Sequence, residues 1–320
     1  MVMGMDPRVH DIRLARDGVI GYDNYSRHGY ARLVRGVYGR VLSEDSPDPF
    51  QRRRQQFILQ ARGWMAAYAS KGAVLYGPSA LQVMGVALPE SVEDWENCHI
   101  LIPPGVSRPQ QQRLIAHRCP TDPEVRHQVA GFPLLDPVEH WTQLRDASLD
   151  ALVEVGDGLV RRSNPWTTMD HIESTLDRLR GRHGVRQARR ASRHVRPGTD
   201  SLYETRTRLL VVRAGLPEPV VNCLVYCPAS GRTFHLDMGY PNEKVGLEFD
   251  GAVHVGNRRQ MDIDANRRRL LQDAGWMIIT ITAAQLMDPA SIVRSVESAL
   301  ILRRAMAGST RQLLIGAGRL

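Results

Sequence analysis

The stretch from Thr233 to His254 reads TFHLDMGYPNEKVGLEFDGAVH. With a period of two, Phe234, Leu236 and Met238 share one face of a first strand, and His235 and Asp237 share the other. Val245, Leu247 and Phe249 form one face of a second strand, with Glu248 and Asp250 pointing the opposite way. If the strands pair, three carboxylates converge on one surface of a sheet. Carboxylates so placed repel and raise one another's pKa unless a cation or solvent intervenes.

Working outward, the sequence sets one tidy order of elements around this pair. Ser201 to Gly215 (SLYETRTRLLVVRAG) has helical spacing and a glycine stop, and VVNCLVYC before it turns back reads as a third strand. Arg258 to Gly275 (RRQMDIDANRRRLLQDAG) is a second helix ended by glycine, and WMIITIT closes the unit as a strand. The order is α–β–β–β–α–β, followed by a helix over about 290–305. RPGTD, Arg196 to Asp200, is the best domain boundary in the chain.

Before that boundary, Leu33, Val34, Val37, Tyr38 and Val41 alternate around Gly36 and Gly39 and suggest a tight hairpin. HDIRLARD, His10 to Asp17, reads as one or two helical turns. Phe50 to Ser70 is helical, with Phe57, Ile58, Ala61, Met65 and Tyr68 on one side. Gly77-Pro78-Ser79 starts another helix, and HILIP and RLIAHR read as strands. From Asp136, an N-cap followed by Pro137, the pattern turns helical as far as the boundary. The expected class is α/β of the α+β kind. The expected parts are a mixed N-terminal module over 1–135, a helical Arg-rich connector over 136–197, a C-terminal domain over 198–305 and a tail over 306–320.

The 320 residues suit two or three domains, and a formal net charge of +8 favours a polyanionic partner. Lys occurs only at positions 71 and 244, so the basic charge is almost all Arg, which suits phosphate forks but also follows from base composition. Between Asp177 and Arg196 there are eight arginines and one acid. Arg186, Arg189, Arg190 and Arg193, with Arg267 and Arg268 on the second C-terminal helix, are the candidate nucleic-acid contacts. Composition does not separate RNA from DNA. No run reaches the roughly 20 apolar residues of a membrane span, so no membrane partner and a cytoplasmic location are expected. Cys98, Cys119, Cys223 and Cys227 lack zinc-site spacing and read as structural thiols.

Asp237, the run Glu248-Phe249-Asp250-Gly251 and His254, in this order of elements, resemble the PD-(D/E)XK nuclease superfamily, and within it the Vsr-like (very-short-patch-repair type) endonuclease-related domains. RLVRGVYGR, GPSALQVMGVALP and LLDPVEHW in the first half resemble the N-terminal part of AbiEi-type antitoxin-like proteins, a family that opens with a DNA-binding winged helix. The resemblance implies a restriction-endonuclease-like core, a winged-helix remnant near the N-terminus, and Glu204 as a further metal ligand. The superfamily's lysine is expected two residues after the glutamate; this chain has Asp250 there, and His254 is the replacement base or ligand that the Vsr-like resemblance implies.

The chemistry is coherent without the family. Phosphodiester hydrolysis needs negative charge neutralised and a water made nucleophilic, and a divalent ion, Mg²⁺ or Mn²⁺, held by Asp237 and Glu248 supplies both. The other readings are structural. Glu204 also reads as a first-turn acid at a helix start, Asp237 as the opening of a turn before Gly239 and Pro241, Asp250-Gly251 as a turn pair and His254 as a loop histidine. Two functions stand: a metal-dependent DNA endonuclease or nickase, and a non-catalytic DNA-binding antitoxin-like regulator with a degenerate nuclease domain. Cutting both strands suggests two active sites, hence a homodimer.

Overall fold

A computed structural model describes residues 12–14, 30–34, 37–40, 49–66, 68–250 and 258–317. The chain divides into two compact units, 1–159 with 166–194, and 160–165 with 195–320. Both are mixed α/β, which makes the protein an α+β fold. No helix among the described residues is long and apolar enough to cross a membrane.

The first unit opens with strands β1 (Ile12–Leu14), β2 (Tyr30–Val34) and β3 (Val37–Arg40). β2 and β3 make the expected hairpin, and β1 joins it along β3. The helical turns expected over His10–Asp17 are therefore replaced at Ile12–Leu14 by a strand. Apolar Ile12 and Leu14 flank Arg13, an alternation that suits the free edge of a hairpin better than one isolated helical turn.

Helix α1 (Pro49–Met65) buries Phe57, Ile58, Ala61 and Met65. Then come β4 (Val74–Leu75), α2 (Gly77–Met84), β5 (Cys98–Ile102), β6 (Leu114–Arg118), β7 (His127–Val129) and β8 (Phe132–Leu134). The five strands from β4 form one sheet in the order β6-β5-β4-β8-β7. Helices α3 (Pro137–Trp141), α4 (Leu149–Leu159), α5 (Met169–Arg178) and α6 (Val185–Ser192) follow. The Asp136 side chain accepts the Val138 N–H at 2.9 Å and so caps α3. Trp141 is fully buried and donates its indole N–H to the Leu152 carbonyl, fixing α3 against α4.

The second unit runs α7 (Leu202–Arg213), β9 (Val220–Cys227), β10 (Arg232–Tyr240), β11 (Val245–Asp250), α8 (Arg258–Asp273), β12 (Met277–Thr282) and α9 (Pro289–Ala317). This is the α–β–β–β–α–β order read from the sequence. α9 continues well beyond the expected end near 305. The sheet order is β12-β11-β10-β9, antiparallel except for the β11–β12 pair, which is parallel across the α8 crossover. Val211, Met238, Tyr240, Val245, Leu247 and Ile281 pack with Ile292 and Val296 of α9. Cys223, Val225, Phe234 and Leu236 pack instead with Leu271 of α8 and Trp276.

Those two clusters correct one expectation. Phe234, Leu236 and Met238 do not share a face: Leu236 packs in the α8 cluster and Met238 in the α7–α9 cluster. β10 changes face at Asp237. The β9–β10 register flanks this point with Leu236↔Cys223 and Met238↔Val221 pairs, and Asn222, between Cys223 and Val221, has a left-handed backbone with φ 51°. A positive φ rotates the strand out of simple alternation.

Candidate functional site

Asp237 therefore sits where β10 changes face, partly buried. Its Oδ2 accepts the Phe249 N–H at 2.8 Å, so backbone of β11 fixes the carboxyl. Burial pushes its pKa up, the Phe249 hydrogen bond opposes that, and the Glu248 charge pushes it further up; Arg267 and Arg162 pull it down.

Glu248 lies on β11 beside this point, where Met238 pairs with Leu247. Arg267 of α8 grips it with both terminal nitrogens: Nη1 donates to Oε2 at 3.1 Å, and Nη2 makes a second, very short contact with Oε1. Nη2 also donates to the His235 carbonyl on β10 at 2.7 Å. One guanidinium thus ties α8 to two strands, in the fork geometry that Lys cannot reproduce.

Glu204 enters from the first turn of α7. Ser201 is the N-cap, its hydroxyl accepting the Glu204 N–H at 3.2 Å, and Glu204 Oε2 accepts the Asp200 N–H at 3.0 Å. This is close to a capping box, displaced by one residue. Glu204 is raised to about 7, first by burial, against the Asp200 hydrogen bond, and then by the charge on Asp237. So Glu204 has the structural role of a helix-start acid and also faces the field of the Asp237 carboxylate. Tyr203 stacks on Phe249 with centroids 4.6 Å apart and planes at 11°, joining α7 to β11.

Three of the expected acids, Glu204, Asp237 and Glu248, are thus brought together. Asp250 ends β11, exposed and opposite Thr282 of β12. His254 lies outside the described residues. Lys244 occupies the turn before β11 with φ 52°, and its Nζ donates to the Ala274 carbonyl, so it does not stand in for the superfamily's lysine. Among the described residues no group of three or more His, Cys, Asp and Glu is arranged to hold a metal ion. All four cysteines are free thiols, three of them buried.

Arg162 was not singled out by the sequence. Its Nε donates to Asp200 Oδ2 at 2.7 Å, and its charge lowers Asp237. Only a contact across 38 residues reveals it. Of the basic candidates, Arg186, Arg190 and Arg193 are exposed at i, i+4 and i+7 on and just past α6. Arg189 is paired with Asp177 at 2.7 Å, Arg267 is committed to Glu248, and Arg268 is exposed on α8.

No family model matches the chain. Two relatives, the uncharacterized proteins MT2308 and Rv2248 of Mycobacterium tuberculosis strains CDC 1551 / Oshkosh and H37Rv, are each 24% identical over 248 residues, covering 71% of this chain and 89% of their own. The crystal structure of the RV2827C protein from Mycobacterium tuberculosis is similar over 72% of this chain and 95% of its own, at 17% identity and a TM-score of 0.32, too low to carry a fold assignment.

Proposed function

We propose that residues 198–305 form a metal-dependent DNA endonuclease or nickase acting in the cytoplasm. The observation that carries this reading is the acid cluster, three partly buried carboxyls in which Glu204 is raised by burial and by the charge on Asp237, and Asp237 by burial and by the charge on Glu248. Arg267 and Arg162 offset that negative potential only in part, since Asp237 stays raised, and a further cation would offset the rest. The donor set fits Mg²⁺ or Mn²⁺, because Mg²⁺ is commonly held by one or two carboxylates with the remaining positions left to water and substrate phosphate. Asp237 and Glu204 would hold the ion, with Glu248 joining only by giving up part of its fork with Arg267. When bound, the ion supplies charge neutralisation at the scissile phosphate and a more acidic water.

The chain's own residues do the rest. The Phe249 N–H holds Asp237 in orientation, and the Arg267 fork holds Glu248 in place beside it. Before an ion binds, Glu204, raised to about 7, can carry a proton, and it would give that proton up on ligating the ion. His254 is assigned the base role by its place in the motif alone. Arg186, Arg190, Arg193 and Arg268 supply exposed positive charge for backbone phosphates. Double-strand cleavage would call for a homodimer.

A second reading, a non-catalytic DNA-binding regulator, is favoured by one observation: Arg267 already neutralises Glu248. A plasmid-conversion assay with Mg²⁺ or Mn²⁺, run beside a gel shift, separates the two. Nicked or linear product from wild type, lost in Asp237→Ala and Glu248→Ala while DNA binding persists, supports the nuclease. Binding with no metal-dependent product from wild type, on single- or double-stranded substrate, refutes the nuclease and supports the regulator.

A further inference from the structure

The first unit holds an open cavity of about 620 Å³, walled by the start of β7, the start of α3, the segment Trp166–Thr168 and helix α5. His171, Ser174, Thr175 and Arg178 line it from positions i, i+3, i+4 and i+7, so α5 gives it one whole face. The size is that of a small-molecule site, well above what a bare ion fills.

Two side chains of this wall carry buried polar atoms with no hydrogen-bond partner among the described residues: the Trp166 indole Nε1 and the Thr167 hydroxyl. Thr167 is only 8% exposed. The backbone N–H groups of both residues donate to the Leu159 carbonyl, at 2.8 Å and 3.2 Å, which fixes the segment. An indole N–H can only donate, and a buried donor left unmade costs about 1–3 kcal/mol. The ligand such a wall calls for must therefore bring acceptors.

The next residue begins the ten-residue α5. Thr168 is its N-cap, and its hydroxyl accepts the His171 N–H at 3.2 Å. The Met169 and Asp170 N–H groups stand at the helix start, where no acceptor exists within the helix, and no proline occupies this turn. Asp170 is exposed and does not line the cavity.

The charges at the wall favour the same kind of ligand. Arg126 and Arg178 line it, together with His127 and His171. Asp136 is the one acid among the lining residues, and both its oxygens are engaged. Oδ1 accepts the Val138 N–H at 2.9 Å, and Oδ2 meets His171 Nε2 at 2.6 Å. Glu124 and Glu139, outside the lining, pair with Arg126 and Arg178. Those guanidiniums are 53% and 46% exposed, so the pairs are weakly held, and each fork has further N–H donors.

We propose that this cavity binds a small organic ligand through an oxyanion, a carboxylate or a phosphate. The oxyanion accepts from the Trp166 indole N–H and the Thr167 hydroxyl beside the start of α5, with Arg126 and Arg178 as its counter-charges. His127, edge-on to Trp166 with ring centroids 6.1 Å apart and planes at 86°, supplies an aromatic surface for the organic body.

The test reads the Trp166 indole directly. ¹H–¹⁵N spectra of the full chain hold five indole signals, one per tryptophan, and Trp166→Phe identifies the one concerned. Phenyl phosphate and benzoate are the probes, and benzyl alcohol is the uncharged control. At least one oxyanion should move the Trp166 signal downfield and saturably, and the tighter of the two names the anion; benzyl alcohol should leave it in place. Thr167→Val keeps the shape, removes the hydroxyl and should weaken binding about tenfold. Arg178→Gln, at an exposed position that folding does not depend on, should weaken it severalfold and reduce its salt dependence. No saturable shift with either oxyanion overturns the proposal. So does an equal response to benzyl alcohol, or an affinity indifferent to Arg178→Gln or to a folded Thr167→Val.

Discussion

Replacing Glu204 by Gln isolates the electrostatics of the acid cluster. The amide keeps an oxygen for the Asp200 N–H but cannot ionise. In the native protein the Glu204 pKa is lifted from 4.5 to about 7, chiefly by burial. A raised carboxyl pKa means that the folded form holds a proton the unfolded chain has lost. The contribution of this group to stability is complete below about pH 4.5 and declines as pH rises through about 7. At about 1.4 kcal/mol per pKa unit, the loss is at most ~3 kcal/mol. Asp237, also raised, adds in the same direction.

Urea unfolding of wild type and Glu204→Gln should therefore diverge with pH. The curves should coincide near pH 4, and the variant should be more stable by about 2 kcal/mol near pH 8. Mg²⁺ added near pH 8 should raise wild-type stability by mass action and should do much less for the variant. A wild-type stability that stays flat from about pH 5 to 8, or a variant that runs parallel to wild type throughout, refutes the reasoning about the buried pair. A pH response without a Mg²⁺ response keeps the electrostatics and refutes the cation.

Gly184 precedes α6 with φ 78°, and a Cβ there would lie 1.8 Å from the Thr142 carbonyl oxygen, so Gly184→Ala should destabilise the first unit by about 3 kcal/mol in thermal or urea unfolding. Changing Arg186, Arg190 and Arg193 together to Gln should weaken DNA binding uniformly across sequences. It should also flatten the log–log salt dependence by about one unit per lost phosphate contact, measured by fluorescence anisotropy.

Much of the second unit was legible because each element carries local punctuation. Gly215 and Gly275 end α7 and α8 with φ 83° and 85°, and Ser201 caps α7. The alternation of β11 places Glu248 away from the Val245 and Leu247 cluster, as read. Alternation failed at Asp237 because a single left-handed Asn222 on the neighbouring strand redirects β10, and nothing in VVNCLVYC announces it. The partners of the acids were less legible. Arg267 was one of three adjacent arginines, and only helix rotation decides which of them meets Glu248. The cavity at Trp166 and Thr167 was hidden for a different reason, since its walls are ordinary polar residues until the chain brings positions 126–137 beside 166–178.

The fork between Arg267 and Glu248 has a further consequence, for the order of events in making the protein. A guanidinium stays charged across the accessible pH range and cannot be stripped by a chelator. It also clamps α8 to β10 and β11. Domains that rely on a metal for that clamping are unfolded without it. Here part of the cluster's negative charge meets a cation encoded in the chain, so folding of the second unit can be completed before any metal arrives. Circular dichroism of the protein prepared in excess EDTA should show the folded spectrum.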